Sequence, residues 1–185
     1  RKRLLVAPTR LDFASLMATV ALARMGFVRR AEDRLGSWLD GVRRDGRHPA
    51  GGGAVEAVLA WAAGEVVRWT GNRAWAREQR SGWTRLLRRL ASEPVDEPGG
   101  EAIFGREGSA VWTRIWRAAG LLSSASALRE HAAEHTDWAI AGGEAREALP
   151  AQLGAGPWSV APERTADGAA AALMAAPWLG VLPKA

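Results

Sequence analysis

The sequence predicts an all-α protein whose helices pack as hairpins in two layers. Apolar residues recur at helical spacing over most of the chain, and no run shows the alternation typical of a strand. Nearly wholly apolar segments alternate with amphipathic ones across short turns, whereas the loops ahead of the apolar segments are longer and rich in glycine and proline. Short turns at one end and long loops at the other favour stacked hairpins with a functional loop face.

The first two helices are predicted from an N-terminal cap and a glycine stop. Thr9 followed by Asp12 has the spacing of a capping box, and Gly26 ends the first helix. The second helix is predicted over about residues 27–42 because its apolar residues, including Trp38, fall on one face.

The third and fourth helices form one predicted hairpin, and the fifth and sixth form another. A glycine-rich loop over about residues 43–53 precedes a helix at about 54–70, which is apolar nearly all round and is expected to be buried on most of its circumference. A tight turn at Thr70-Gly71-Asn72 leads into an amphipathic helix at about 73–90.

The remaining helices are separated by segments rich in proline and glycine. We expect a fifth helix at about 109–122, a sixth at about 126–141 and a last one at about 165–175. The sequence therefore predicts about seven helices.

Composition excludes several classes of protein. The chain has 185 residues, enough for one domain with a sizeable core, and no cysteine, which excludes disulfides, thiolate metal sites and a cysteine nucleophile. With 48% hydrophobic residues it is not a disordered chain. No apolar run has the length of a membrane span and no signal peptide is recognisable, so we expect a cytoplasmic protein without a membrane partner.

The charge is unevenly distributed. Residues 1–90 carry 18 basic and 8 acidic side chains, a net charge of +10, whereas residues 91–185 carry 7 and 12, a net charge of −5. Nearly all the basic residues are arginines, which a coding bias explains better than a function does. The alternative hypothesis is a basic, helical nucleic-acid-binding protein that uses the arginines of the fourth helix. Those residues are Arg73, Arg77, Arg80, Arg88 and Arg89.

Four passages combine turn residues, tryptophans and charged residues in a recognisable order. They are residues 21–47, ending in Asp45-Gly46-Arg47; residues 53–75, containing Thr70-Gly71-Asn72; residues 111–121, with Trp112 and Trp116; and residues 148–180, with Arg164-Thr165-Ala166-Asp167. In this order the passages resemble the six-hairpin glycosidases, the (α/α)6 toroids of the glucoamylase, trehalase and glycogen-debranching type.

The resemblance implies a partial (α/α)6 toroid, with residues 1–185 forming a single domain equivalent to the C-terminal part of the ring. It implies a carbohydrate-active domain that cleaves α-glucosidic or short glycosidic linkages with paired carboxylates and without a cofactor or metal. Thr113 and Arg114 replace two acidic residues of the family pattern. The chain is therefore interpreted as a fragment or a truncated relative, and its oligosaccharide or polysaccharide site requires a missing N-terminal half or a homo-oligomer.

The candidate site residues belong to the long loops and to the helices that follow them. Glycoside hydrolysis needs two carboxylates across the scissile bond, and indole faces stack on sugar rings. The candidate catalytic carboxylates are Asp45, Glu101, Glu107 and Asp167, and the candidate substrate-binding residues are Trp112, Trp116, Trp158, Arg47 and Arg164. Each of these carboxylates also has a purely structural interpretation, as a turn residue, a solvated loop charge or a first-turn helix residue.

Two further hypotheses remain open at this point. Loss of the paired acidic residues favours a non-catalytic carbohydrate-binding or scaffold relative. His131, Glu134 and His135 have the order of an inverted zinc motif, with both histidines expected on one face of the sixth helix. A pair of surface histidines is the favoured interpretation of that sequence.

Overall fold

The computed structural model describes residues 10–92 and 110–149. Within these ranges the chain forms six α-helices and no strand, which confirms the all-α prediction. They are α1 (Phe13–Arg24), α2 (Val28–Asp40), α3 (Gly53–Thr70), α4 (Arg73–Ser92), α5 (Ala110–Leu128) and α6 (His135–Glu147). The helix predicted at about 165–175 lies outside the described residues. None of the six helices is long and apolar enough to cross a membrane.

The helices lie in two rows. Helices α1, α3 and α5 are neighbours in that order in one row, and α2, α4 and α6 are neighbours in the other. Each helix of the first row also packs on its hairpin partner in the second row. For α3 with α4 and for α5 with α6, this is the pairing that the alternation of apolar and amphipathic segments predicts. The described part of the chain is thus three successive α-hairpins arranged in two layers.

The short turns and the long loop lie at opposite ends of these rows. At one end, Asn72 in the α3–α4 turn donates from its side-chain Nδ2 to Oε1 of Glu32 on α2, over 2.7 Å. At the other end, Arg85 of α4 donates from its guanidinium to the carbonyl oxygen of Val42, over 2.9 Å, just beyond α2. Helices α2 and α4 therefore run in the same direction, with residues 41–52 at the end where α3 begins.

Helix α3 is the centre of the core. It contacts α1 and α5 in its own row and α2 and α4 in the other, so almost every side-chain direction meets protein. Its apolar residues from Ala54 to Val67 are buried, as the nearly continuous apolar sequence predicts. Only Glu56 and Glu65 place charged groups inside this stretch.

Aromatic and hydroxyl groups connect the helices at two points, one within the first row and one between the two rows. Trp116 of α5 makes edge-to-face contacts with Phe13 of α1 and Trp61 of α3, at centroid distances of 5.5 and 5.2 Å. Elsewhere the Trp83 indole N–H donates to Oγ of Ser124, over 2.9 Å, and that hydroxyl donates to the carbonyl oxygen of Ala60, also over 2.9 Å. These two hydrogen bonds join α4, α5 and α3.

Two glycines allow helices to approach closely. A Cβ atom added to Gly82 of α4 would lie 2.1 Å from the carbonyl oxygen of Leu39 on α2. One added to Gly64 of α3 would lie 2.8 Å from the carbonyl oxygen of Ser123 on α5. Any larger residue at either position would push two backbones apart.

The structure changes two predicted helix boundaries. Asp12 is itself the N-cap of α1 and accepts the backbone N–H of Ser15 over 2.7 Å, while Thr9 lies outside the described residues. The prediction of a break between the fifth and sixth helices near residues 123–125 was wrong, because α5 continues to Leu128 and α6 begins only at His135. Ser124 does not end the helix, since its hydroxyl is satisfied by neighbouring helices rather than by a turn.

Candidate functional site

The loop over residues 41–52 carries two of the predicted site residues that the structure describes, Asp45 and Arg47. Its tip is a tight turn: Oδ1 of Asp45 accepts the backbone N–H of Arg47 over 3.0 Å, and the carbonyl oxygen of Arg43 accepts the N–H of Gly46 over 3.0 Å. The side chains of Asp45 and Arg47 are exposed at this tip. A carboxylate and a guanidinium are therefore presented to solvent two residues apart.

Helix α4 packs against this turn and holds it in place. Gly46 has φ +82°, and a Cβ atom added there would lie 2.5 Å from the carbonyl oxygen of Arg85, so both conformation and space favour glycine. The Arg85 guanidinium donates to the carbonyl oxygens of Arg43, over 3.1 Å, and Val42, over 2.9 Å. The loop is thus bonded to α4 through its own backbone.

A buried ion pair fixes the other half of the loop. Glu56 on α3 is 1% exposed and pairs with the Arg89 guanidinium, which reaches it from α4. The second carboxylate oxygen of Glu56 accepts the backbone N–H of His48 over 2.6 Å. Two helices and the loop therefore converge on one carboxylate that is excluded from water.

His48 is buried beside this pair and closes a second small turn. Its Nδ1 accepts the backbone N–H of Ala50 over 3.1 Å. Burial of the imidazole, together with the positive charge of Arg43, holds the pKa of His48 below its usual value. The neutral ring is the form that suits this hydrogen bond, because a protonated Nδ1 would no longer accept.

Sequence reasoning singled out the exposed tip of this loop and missed its buried support. Neither Glu56 nor His48 was assigned a role there, and Arg89 was assigned to a nucleic-acid surface. The available signal was Glu56 itself, a single carboxylate inside an otherwise apolar helix, because such a residue is rarely buried without a cationic partner.

Of the other candidate site residues, only Trp116 has a described side chain. Trp116 is 1% exposed, and its ring packs on Phe13 and Trp61 in the core instead of lining a groove. Trp112 lies in the first turn of α5, and its side chain is not among those described. Glu101, Glu107, Trp158, Arg164 and Asp167 lie outside the described residues.

The tryptophans of the described helices are mainly core residues. Trp38, Trp61, Trp75 and Trp83 are buried, as expected for residues that fill the space between helices. Trp69 departs from that expectation, because 58% of it is exposed.

The structure does not form the predicted pair of histidines on one helix face. His131 lies in the turn before α6, whereas His135 is the first residue of that helix. Because α5 continues to Leu128, the turn that follows it contains His131 and Glu134, and the motif does not lie within one helix. Among the described residues, no group of three histidine, aspartate or glutamate side chains is arranged to hold a metal ion.

Four of the five arginines assigned to nucleic acid make contacts within the chain. Arg73 pairs with Glu130, Arg88 with Glu134 and Arg89 with Glu56, while Arg80 donates to the carbonyl oxygen of His131 over 3.0 Å. These contacts attach α4 to the turn before α6 and to α3. Four of these five arginines therefore have partners within the chain.

No family model, curated protein or solved structure matches this chain.

Proposed function

We propose that this is a carbohydrate-active domain whose glycan-contacting surface is the loop end that carries Asp45 and Arg47. The observation that supports the proposal is the anchored 41–52 loop, because a carboxylate and a guanidinium held at a fixed tip suit recognition of sugar hydroxyls. We also propose that the two rows of helices curve as part of an (α/α)6 toroid. Three hairpins in successive contact are the arrangement that such a ring requires.

The chemistry proposed is acid–base hydrolysis of a glycosidic bond. Asp45 supplies one carboxylate, and the second comes from Glu101, Glu107 or Asp167 across the scissile bond. Arg47 donates hydrogen bonds to sugar hydroxyls, and the reaction needs no cofactor. Trp116 has no part in stacking on the sugar, since its ring is enclosed by Phe13 and Trp61.

The test measures binding and hydrolysis of a series of α-linked gluco-oligosaccharides. Asp45→Asn keeps the side-chain oxygen that accepts the Arg47 N–H but removes the charge, so the loop is preserved. We expect it to lower the rate of reducing-end release at least about a hundredfold, the scale of an acid–base contribution, while calorimetric affinity changes little. Asp33→Asn, at an exposed carboxylate of α2, is the matched control. Equal rates for both variants, or no binding by the wild-type chain, would contradict the proposal.

The second candidate is a carbohydrate-binding relative without turnover. It is favoured by Thr113 and Arg114, which stand on α5 where the resembled enzymes have acidic residues. This candidate predicts measurable affinity for the oligosaccharides, no release of reducing ends, and weaker binding in Arg47→Leu. The same calorimetric and reducing-end measurements therefore separate the two functions.

A further inference from the structure

Four large apolar side chains are conspicuously exposed on the described part of the chain. They are Met25, Phe27, Trp69 and Ile140, with exposed fractions of 64%, 55%, 58% and 55%. Exposed apolar groups that cluster beside charged residues are typical of protein interaction sites. These four residues belong to two surfaces of opposite charge.

The first surface, the basic turn patch, lies at the end with the short turns. It comprises Met25 and Phe27 from the α1–α2 turn, Trp69 from the end of α3, and the arginines around them. Those arginines are Arg24, Arg29, Arg30 and Arg68.

Contacts within the basic turn patch hold its two parts together. The Arg24 guanidinium carbon lies 5.8 Å from the centroid of the Trp69 ring, and both Arg24 and Arg68 reach the carboxylate of Glu65. With Glu65, Glu32 and Asp33 counted beside these four arginines, the patch keeps a small net positive charge.

The second surface, the acidic α6 face, lies on the outer side of the last described helix. Asp137, Ile140, Glu144 and Glu147 are all exposed and follow each other at spacings of three or four residues, so they form one stripe. The opposite side of α6 is buried through Trp138 and Gly142. Ile140 is thus an apolar residue in an acidic surface.

We propose that the basic turn patch of one copy of this chain docks on the acidic α6 face of a second copy. Each surface combines exposed apolar groups with charges opposite to those of the other, and each would repel its own kind.

A second copy of this chain offers a complementary surface to both patches. Nucleic acid and anionic lipid do not. Nucleic acid or an anionic lipid surface would be attracted to the arginines but repelled by the acidic stripe around Ile140. The proposed contact is head-to-tail, because two different surfaces meet. It is independent of the proposed carbohydrate function, which concerns the opposite end of the helices.

The test measures molar mass by light scattering, from about 1 μM to 1 mM, with variants that place a like charge in each surface. Trp69→Glu adds a negative charge to the basic turn patch, and Ile140→Arg adds a positive charge to the acidic α6 face. We expect the wild-type chain to self-associate, and each variant to weaken association at least about tenfold. Ser37→Glu and Ser126→Arg, at exposed positions outside both surfaces, are the charge-matched controls. Circular dichroism confirms that all the variants fold.

Mixing the two variants tests the head-to-tail geometry directly. Each variant keeps one intact surface, so an equimolar mixture of Trp69→Glu and Ile140→Arg should form a one-to-one dimer that neither forms alone. A monomeric wild-type chain over the whole concentration range would overturn the proposal. A mixture that stays monomeric would overturn it too, as would association that neither variant weakens. Co-sedimentation of a monomeric chain with phosphatidylserine vesicles would identify the basic turn patch as a lipid contact instead.

Discussion

The buried carboxylate of Glu56 on α3 bonds to both α4 and the 41–52 loop. Replacing Glu56 with Gln leaves the Arg89 guanidinium buried with a neutral partner, and removing one member of a buried ion pair costs about 3–5 kcal/mol. We expect the free energy of unfolding in urea to fall by that order. The double variant Glu56→Leu, Arg89→Leu should be less destabilised than Glu56→Gln, because no charge is left uncompensated. The opposite order of stability would show that the charge pair is not what matters there.

Gly46 is under two constraints at the tip of the loop. Gly46→Ala places a Cβ atom 2.5 Å from the carbonyl oxygen of Arg85 and fixes a left-handed conformation on an alanine. We expect a loss of more than about 1 kcal/mol of stability, measured by chemical denaturation. Gly143→Ala is the control, because nothing lies within 4 Å of an added Cβ on this α6 glycine and helix propensity improves by up to about 1 kcal/mol.

His48 makes stability depend on pH in a defined direction. Its pKa is lower in the folded chain than the usual 6.5, so the unfolded chain binds more protons between the two values. The contribution is therefore complete above about pH 6.5 and is lost as the pH falls from there toward the lower, folded pKa. Denaturation curves between pH 5 and 8 should show this slope. His48→Asn, which keeps a side-chain acceptor for the Ala50 N–H, should flatten the slope.

At the level of the helices, the Trp83–Ser124–Ala60 chain of hydrogen bonds links α4, α5 and α3. Ser124→Ala removes the acceptor of the buried indole N–H and one donor to Ala60, so we expect a loss of about 1–3 kcal/mol in the free energy of unfolding. Ser126→Ala, an exposed position on the same helix, should change stability by less than about 0.5 kcal/mol. Similar stabilities of the two variants would contradict a linking role for Ser124.

The helices that sequence reasoning located well are those defined by their own composition. Helix α3 was predicted from its continuous apolar character and α4 from its amphipathic pattern, and both lie within a few residues of their predicted bounds. The boundary between α5 and α6 was missed because the partners of Ser124 come from α3 and α4, which are distant in sequence. Ser124 bonds to those helices and not to its own turn, so α5 continues through it.

At the scale of the whole molecule, the two rows follow from the alternation of apolar and amphipathic segments. That pattern states which helices pair across the two rows, and the structure agrees for α3 with α4 and for α5 with α6. It does not state which residues of a loop point outward and which point inward. Asp45 was correctly placed in a tight turn, whereas Trp116 was expected at a groove and lies in the core. Helical spacing identifies the face of a tryptophan, but the neighbouring helices decide whether that face is covered.

The anchoring of the 41–52 loop by α4 has a consequence for natural variation and for engineering. A turn whose backbone is held by Arg85 and whose base is fixed by Glu56 depends on few of its outermost side chains. Asp45 is the exception, because its Oδ1 accepts the Arg47 N–H. Libraries randomised at Arg44 and Arg47 should therefore yield mostly folded clones, while substitutions at Gly46 and His48 should be depleted. Residues 44–48 therefore combine fixed scaffold positions with replaceable contact positions. This is the arrangement sought when new binding specificities are grafted onto a helical protein.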